Sequence, residues 1–181
     1  GFYDTSDRAD GLVARPREMT DGATPSGNGL MAEVLLVLSI YRQRPELAEE
    51  ATTLVASMVG PMADHPVFTG QFLSVAERLL TPARELVLAG PPDAAAIRAL
   101  RQVVDHRFEP FVVVGYADPD RTDAVERYPM LAERPVVGDG AAYLCQNFAC
   151  LPPVTTPEEL RALLEQPLAD APTAAPDTDS R

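Results

Sequence analysis

The run Leu30–Ile40 constrains this 181-residue chain more than any other stretch. Leu30, Met31, Val34, Leu35, Leu36, Val37, Leu38 and Ile40 leave almost no polar face on a helix expected from about Ser26 or Asn28 to Arg42. A helix that is apolar all round has to be covered on every side. A small fragment struggles to supply that cover, so the pattern predicts an inner helix of a larger helical assembly. Glu33 and Ser39 interrupt the run, and it falls short of the roughly 18 apolar residues that read as a membrane span.

The helix is preceded by Asp21-Gly22-Ala23-Thr24-Pro25-Ser26-Gly27-Asn28, the densest cluster of turn formers in the chain. Pro25 fixes its own φ and biases Thr24 away from the helical region. Asp21, Ser26 and Asn28 carry short side chains that bond nearby backbone N–H groups and suit turns and helix caps. The expectation is a rigid loop delivering polar groups to the positive end of a helix. A pocket for an anion or polyol and an ordinary capped helix start both fit that description. Gly27-x-Gly29-x-x-Ala32 matches the dinucleotide fingerprint in form only, because the fingerprint follows a strand and here Pro25 and Ser26 come first.

Gly1-Phe2-Tyr3-Asp4-Thr5, Val13-x-Arg15-Pro16, the Asp21–Asn28 run and, far downstream, Ala142-Tyr143-Leu144-Cys145-Gln146-Asn147-Phe148-Ala149-Cys150-x-x-Pro153-Val154-Thr155 occur in this order. Over roughly residues 1 to 165 the chain resembles the C-terminal part of thioredoxin-domain-containing proteins of the spermatogenesis-associated protein 20 type. The resemblance implies an upstream thioredoxin-like domain as a partner in the same protein. It also implies an (α/α)6 toroid like that of six-hairpin glycosidases and N-acylglucosamine 2-epimerases. The biochemical function of that family is poorly defined. The start at Gly1, inside a motif, is read as that of a fragment.

Downstream, Pro45 to about Ala63 carries an apolar stripe at spacings of three and four and predicts a second helix, with Pro45 at its first position. A third helix is expected from His65-Pro66 to Leu80. The period then changes. Arg84–Gly90 and Phe111–Gly115 read as strands around a helix from Asp93 to Val104, a β-α-β order that implies parallel pairing. Ala141–Cys145 reads as a third strand, and Thr156 and Pro157 open a last helix to Leu164. Together with the resemblance, the expected fold is mixed. Residues 1–82 form the last helical hairpins of the toroid, 83–166 a small three-stranded, mainly parallel α/β subdomain, and 167–181 a disordered acidic tail rich in Pro and Ala.

The chain carries 15 basic and 27 acidic residues, a net charge of −12. That argues against nucleic acid and against an anionic membrane surface as partners. No signal peptide is visible, and a cytoplasmic location is the expectation. No cofactor is implied.

Cys145 and Cys150 are spaced C-x4-C, unlike the C-x-x-C of thioredoxin-like redox centres. Three readings stand: two reduced structural cysteines, a redox-active pair, or half of a metal site in which only His65 and His106 remain as further ligands. Sugar chemistry needs paired carboxylates. By analogy with the toroid enzymes, Asp21 is the candidate catalytic acid at the toroid mouth, and Arg15, Ser26 and Asn28 are candidate binding groups for a small carbohydrate. No second acid is marked by spacing. Three functions follow: a carbohydrate-related domain, a structural domain supporting the thioredoxin-like part, and a redox module using Cys145 and Cys150.

Overall fold

Ser26 sets the start of the first helix. Its backbone is extended, and its side chain accepts a hydrogen bond from the N–H of Gly29 at 3.1 Å, satisfying one of the N–H groups that a helix start leaves open. The computed structural model describes residues 1–146 and 149–166. The expectation of a disordered tail over 167–181 lies outside those residues, as do Asn147 and Phe148.

Helix α1 spans Gly27–Arg42 and α2 Pro45–Ser57, a hairpin turned by Gln43 and Arg44. The single second helix expected to Ala63 is broken: α2 stops at Ser57 and a short α3 runs over Val59–Asp64. Pro61 explains the break. It cannot donate a hydrogen bond, and its ring clashes with the carbonyl four residues back, that of Ser57. A 3-10 turn at Pro66–Phe68 leads into α4, Gly70–Leu80. Phe72 and Val75 of α4 pack with Leu35 and Leu36 of α1 and Leu54 and Val55 of α2 in one core.

The second half is built on a sheet. Its elements are β1 (Arg84–Ala89), α5 (Ala95–Asp105), β2 (Val112–Ala117), α6 (Thr122–Arg127), β3 (Ala141–Gln146), β4 (Ala149–Cys150) and α7 (Pro157–Leu164). The strand order is β2-β1-β3-β4. β1 and β2 pair in parallel across α5, as the β-α-β order predicts, while β3 runs antiparallel to β1 and β4 antiparallel to β3. The sheet is therefore four-stranded and mixed, which corrects the three-stranded, mainly parallel expectation. Nothing in the alternation of β3 carries its direction. The two-residue β4 is too short to leave a periodic signal.

Both faces of the sheet are covered. Leu86, Leu88 and Leu144 pack against α5 and α7. Val87, Ala89, Val113 and Tyr143 pack against Met130, Leu131 and the Val37, Ile40 and Tyr41 side of α1. This accounts for the unbroken apolar run of β1. Gly90 (φ 153°) and Gly140 (φ 148°) let the strand ends meet: a Cβ on Gly90 would lie 3.1 Å from the Cα of Gly140 and 2.9 Å from Ile97 Cγ1. Arg84, 6% exposed, donates to the carbonyls of Leu163 (3.0 Å) and Leu164 (3.2 Å) and so closes the C-terminus of α7. At the other end of α7, Thr156 and Glu159 form a capping box.

Helix α1 thus has three sides. One meets the helical core and one meets the sheet. The third, marked by Leu30, Val34 and Leu38 at 43%, 47% and 37% exposure, is uncovered among the described residues. Cover on every side, expected from the pattern, is not supplied among the described residues. No described helix is long and apolar enough to cross a membrane.

Candidate functional site

The first 26 residues form no regular element among themselves. They are held by a few backbone bonds, among them Asp4 N–H to the carbonyl of Pro16 and Asp21 N–H to that of Phe68, and by side chains. Asn28, fully buried, donates from Nδ2 to the carbonyls of Phe2 (3.0 Å) and Glu18 (2.9 Å), and its Oδ1 accepts from the N–H of Phe2 at 2.5 Å. Asp21 uses both carboxylate oxygens: Oδ1 accepts from the N–H of Ser26 and Oδ2 from that of Gln71, each at 2.8 Å. Asp4 accepts from the N–H of Glu18 at 2.7 Å. The tight loop before α1 is therefore tied to the N-terminus of α4, fifty residues on.

These bonds enclose a shallow hollow of about 430 Å³ lined by Asp4, Glu18, Thr20, Asp21, Thr24 and Ser26. The structure brings Asp21, Ser26 and Asn28 together at the head of α1. Arg15 is not among the residues lining that hollow. Its Nη2 donates to the carbonyl of Thr5 at 2.7 Å, and its guanidinium lies 4.0 Å from the ring of Tyr3, which Arg17 also contacts at 4.1 Å. Asp4 and Glu18 were not singled out from the sequence. Only the folding back of the first residues onto Asn28 brings them here.

The second location is the sheet edge at β3 and β4. Cys145 and Cys150 face each other in the register, with Cα atoms 3.9 Å apart, and are joined by a disulfide bond. The reading of two reduced structural cysteines is corrected by this bond: the antiparallel pairing of β3 with β4 places the two sulfurs in reach, which spacing alone does not decide. The metal reading gains no support, since no cluster of three or more His, Cys, Asp or Glu occurs among the described residues. His65 is exposed between α3 and the 3-10 turn, and His106 bonds through Nδ1 to the carbonyl of Gln102 at the end of α5.

Two residues not marked in the sequence reading adjoin the disulfide. Arg134 directs Nη2 at Cys145 Sγ, 3.4 Å away, while its Nη1 is anchored on the carbonyls of Ala132 and Glu133. Glu85 on β1 stands directly opposite Cys145 in the register. Burial raises the pKa of Glu85, and the charge of Arg134 offsets this in part. The signal available for Glu85 was an acid at the head of a run that is otherwise apolar. Arg134 sits in a loop with no pattern to mark it.

A third feature is an open groove of about 690 Å³ between α1 and the outer edge of β2, lined by Val37, Tyr41, Arg101, Tyr116, Arg121 and Tyr128 among others. Tyr41 and Tyr128 meet edge to face at 5.9 Å.

No family model matches the chain, and no solved structure does. Among curated proteins, it is 31% identical over 157 residues to mouse spermatogenesis-associated protein 20, covering 86% of this chain and 20% of that protein. Against the human protein of that name the identity is 29% over 165 residues, covering 90% of this chain and 21% of the relative. The rat protein gives 31% over 157 residues. The chain spans about one fifth of the length of these relatives. Over most of its own length, then, this chain is similar to a part of spermatogenesis-associated protein 20.

Proposed function

We propose that this chain serves as a docking and supporting section of a longer protein of the spermatogenesis-associated protein 20 type, where it closes an (α/α)6 helical toroid beside a thioredoxin-like domain. The observation that carries the reading is the third side of α1. Leu30, Val34 and Leu38 recur every fourth residue and stay exposed, while the other large apolar side chains of the helix are buried or half-buried. Apolar stripes of this kind pack against another helix. The occupant is a preceding helix of the same longer chain. The test is Val34→Glu in the full-length protein. A charge forced into a helix–helix contact should cost about 2–4 kcal/mol. A change within about 0.5 kcal/mol, as for an open surface site, would overturn the docking role.

The hollow beside Asp21 favours a second reading, a site for a small carbohydrate. Its lining offers carboxylates and hydroxyls, and each carboxylate oxygen has more than one acceptor position. Asp21 is then the acid of the site and Ser26 a second lining group, while Asn28 shapes the hollow from beneath by holding Phe2 and Glu18, and Arg15 stands outside its lining. Melting of the full-length protein against mono- and disaccharides tests it: a sugar-specific rise in Tm that Asp21→Asn abolishes supports the role, and no rise with any sugar removes it. The bond between Cys145 and Cys150 favours a third reading, a redox role for that pair.

A further inference from the structure

We propose that the Cys145–Cys150 disulfide is a thiol–disulfide exchange site for an external dithiol, with Cys150 the sulfur attacked, Arg134 holding the departing Cys145 thiolate and Glu85 exchanging its proton. The proposal rests on the redox reading of the pair and adds to it the direction of attack and the assisting groups.

The two sulfurs are not equivalent. Cys145 is 2% exposed within the sheet, whereas Cys150 is exposed on the short edge strand. An incoming thiolate therefore reaches Cys150 Sγ. In the first step the external sulfur bonds to Cys150 Sγ, the Cys145–Cys150 bond breaks, and its electron pair leaves on Cys145. Arg134 Nη2 already lies 3.4 Å from that sulfur. A fixed cation lowers the pKa of a thiol, and a thiol of lower pKa leaves faster. Arg134 has donor capacity to spare: its Nε is buried with no hydrogen-bond partner among the described residues.

Glu85 stands opposite Cys145 on β1, on the face of the sheet that also carries Tyr143. Its burial favours the protonated carboxyl, which can pass its proton to the Cys145 thiolate. In the second step the other thiol of the external reagent, as thiolate, attacks its partner sulfur. Cys150 leaves as a thiolate and takes a proton from water. Two electrons have passed to the protein, and the dithiol has become a disulfide. Oxidation of the pair by an external disulfide runs the same steps in reverse.

Differential alkylation and peptide mass spectrometry of the full-length protein, with dithiothreitol as the probe, follows the two cysteines by name. The wild-type peptides should be found bonded before reduction. Arg134→Gln should slow reduction about tenfold, Arg134→Lys should recover most of the rate, and Glu85→Gln should remove one inflection from the pH–rate profile after correction for the thiolate fraction of the reagent. Cys145→Ser should leave a Cys150 that forms a mixed disulfide with an aromatic disulfide reagent at least about tenfold faster than Cys145 does in Cys150→Ser. If the peptides are never bonded, even after mild oxidant, the redox reading itself falls. If they are bonded but Arg134→Gln reduces at the wild-type rate, or Cys145 proves the faster sulfur, the mechanism proposed here falls and the redox reading stands. Should Arg134→Gln fail to fold, the order of labelling at the two cysteines still decides the direction of attack.

Discussion

Tyr41 donates its phenolic hydrogen to the carbonyl of Val114, 2.5 Å away and 73 residues later in the chain. Val114 lies on β2, an edge strand of the sheet. Edge strands present unpaired backbone groups, and here a helix side chain meets one of them. The bond ties α1 to the sheet.

Tyr41→Phe keeps the ring and removes the bond, so a loss of about 1 kcal/mol is expected in chemical unfolding. Burial, followed by the nearby Tyr116 and Tyr128, raises the Tyr41 pKa. A raised value means the fold favours the neutral phenol. Its contribution is complete below the ordinary value near 10 and is lost as pH rises through the folded value. Wild-type protein should therefore lose stability more steeply above about pH 10 than Tyr41→Phe. Parallel curves would show that Tyr41 does not hold this proton in the fold.

Asn28→Ala strips three hydrogen bonds at once and leaves the amide and carbonyl of Phe2 and the carbonyl of Glu18 without their partner. Unpaired buried polar groups cost about 1–3 kcal/mol each, so the midpoint of urea unfolding should fall by the equivalent of at least about 2 kcal/mol. A shift worth less than about 0.5 kcal/mol would mean the first residues are not held by Asn28.

Gly90→Ala combines a left-handed φ of 153° with a Cβ 2.9 Å from Ile97 Cγ1 and 3.1 Å from the Cα of Gly140. Backbone cannot swing aside as a side-chain end does, and a destabilisation of about 1–3 kcal/mol is expected. Gly22→Ala is the control, because nothing lies within 4 Å of a Cβ there. Thermal melts should separate the two, and equal effects would sink the packing argument.

Glu85→Gln tests the raised carboxyl by stability. Below the ordinary value of 4.5 the folded and unfolded states both carry the proton. As pH rises from there through the raised folded value, the folded state holds more protons than the unfolded one, so wild-type stability falls. The neutral variant lacks that fall. Its Tm should exceed that of wild type at neutral pH, with the difference shrinking toward pH 4. A constant difference across this range would contradict the burial of Glu85.

Much of the architecture was legible in local signals. Ser26 and Thr156 with Pro157 marked two helix starts because caps act within one turn of chain. The stripe of α5 and the β-branched run of β2 fixed a β-α-β unit whose parallel pairing follows from the crossover. Pro61 carried the break in the second helix, though the apolar stripe running through it hid the signal. What residue order alone did not settle was set by long-range geometry. The antiparallel direction of β3, the pairing of Cys145 with Cys150, and the placing of Glu85 and Arg134 beside that bond all depend on which strands meet. Periodicity reports only that a face is buried, not by what. The same limit applies to α1. Its sequence alone determined that the helix is apolar on nearly every side. Only the tertiary structure showed that two sides are covered while Leu30, Val34 and Leu38 stay partly exposed among the described residues, because burial belongs to the surfaces that meet and not to the residues themselves.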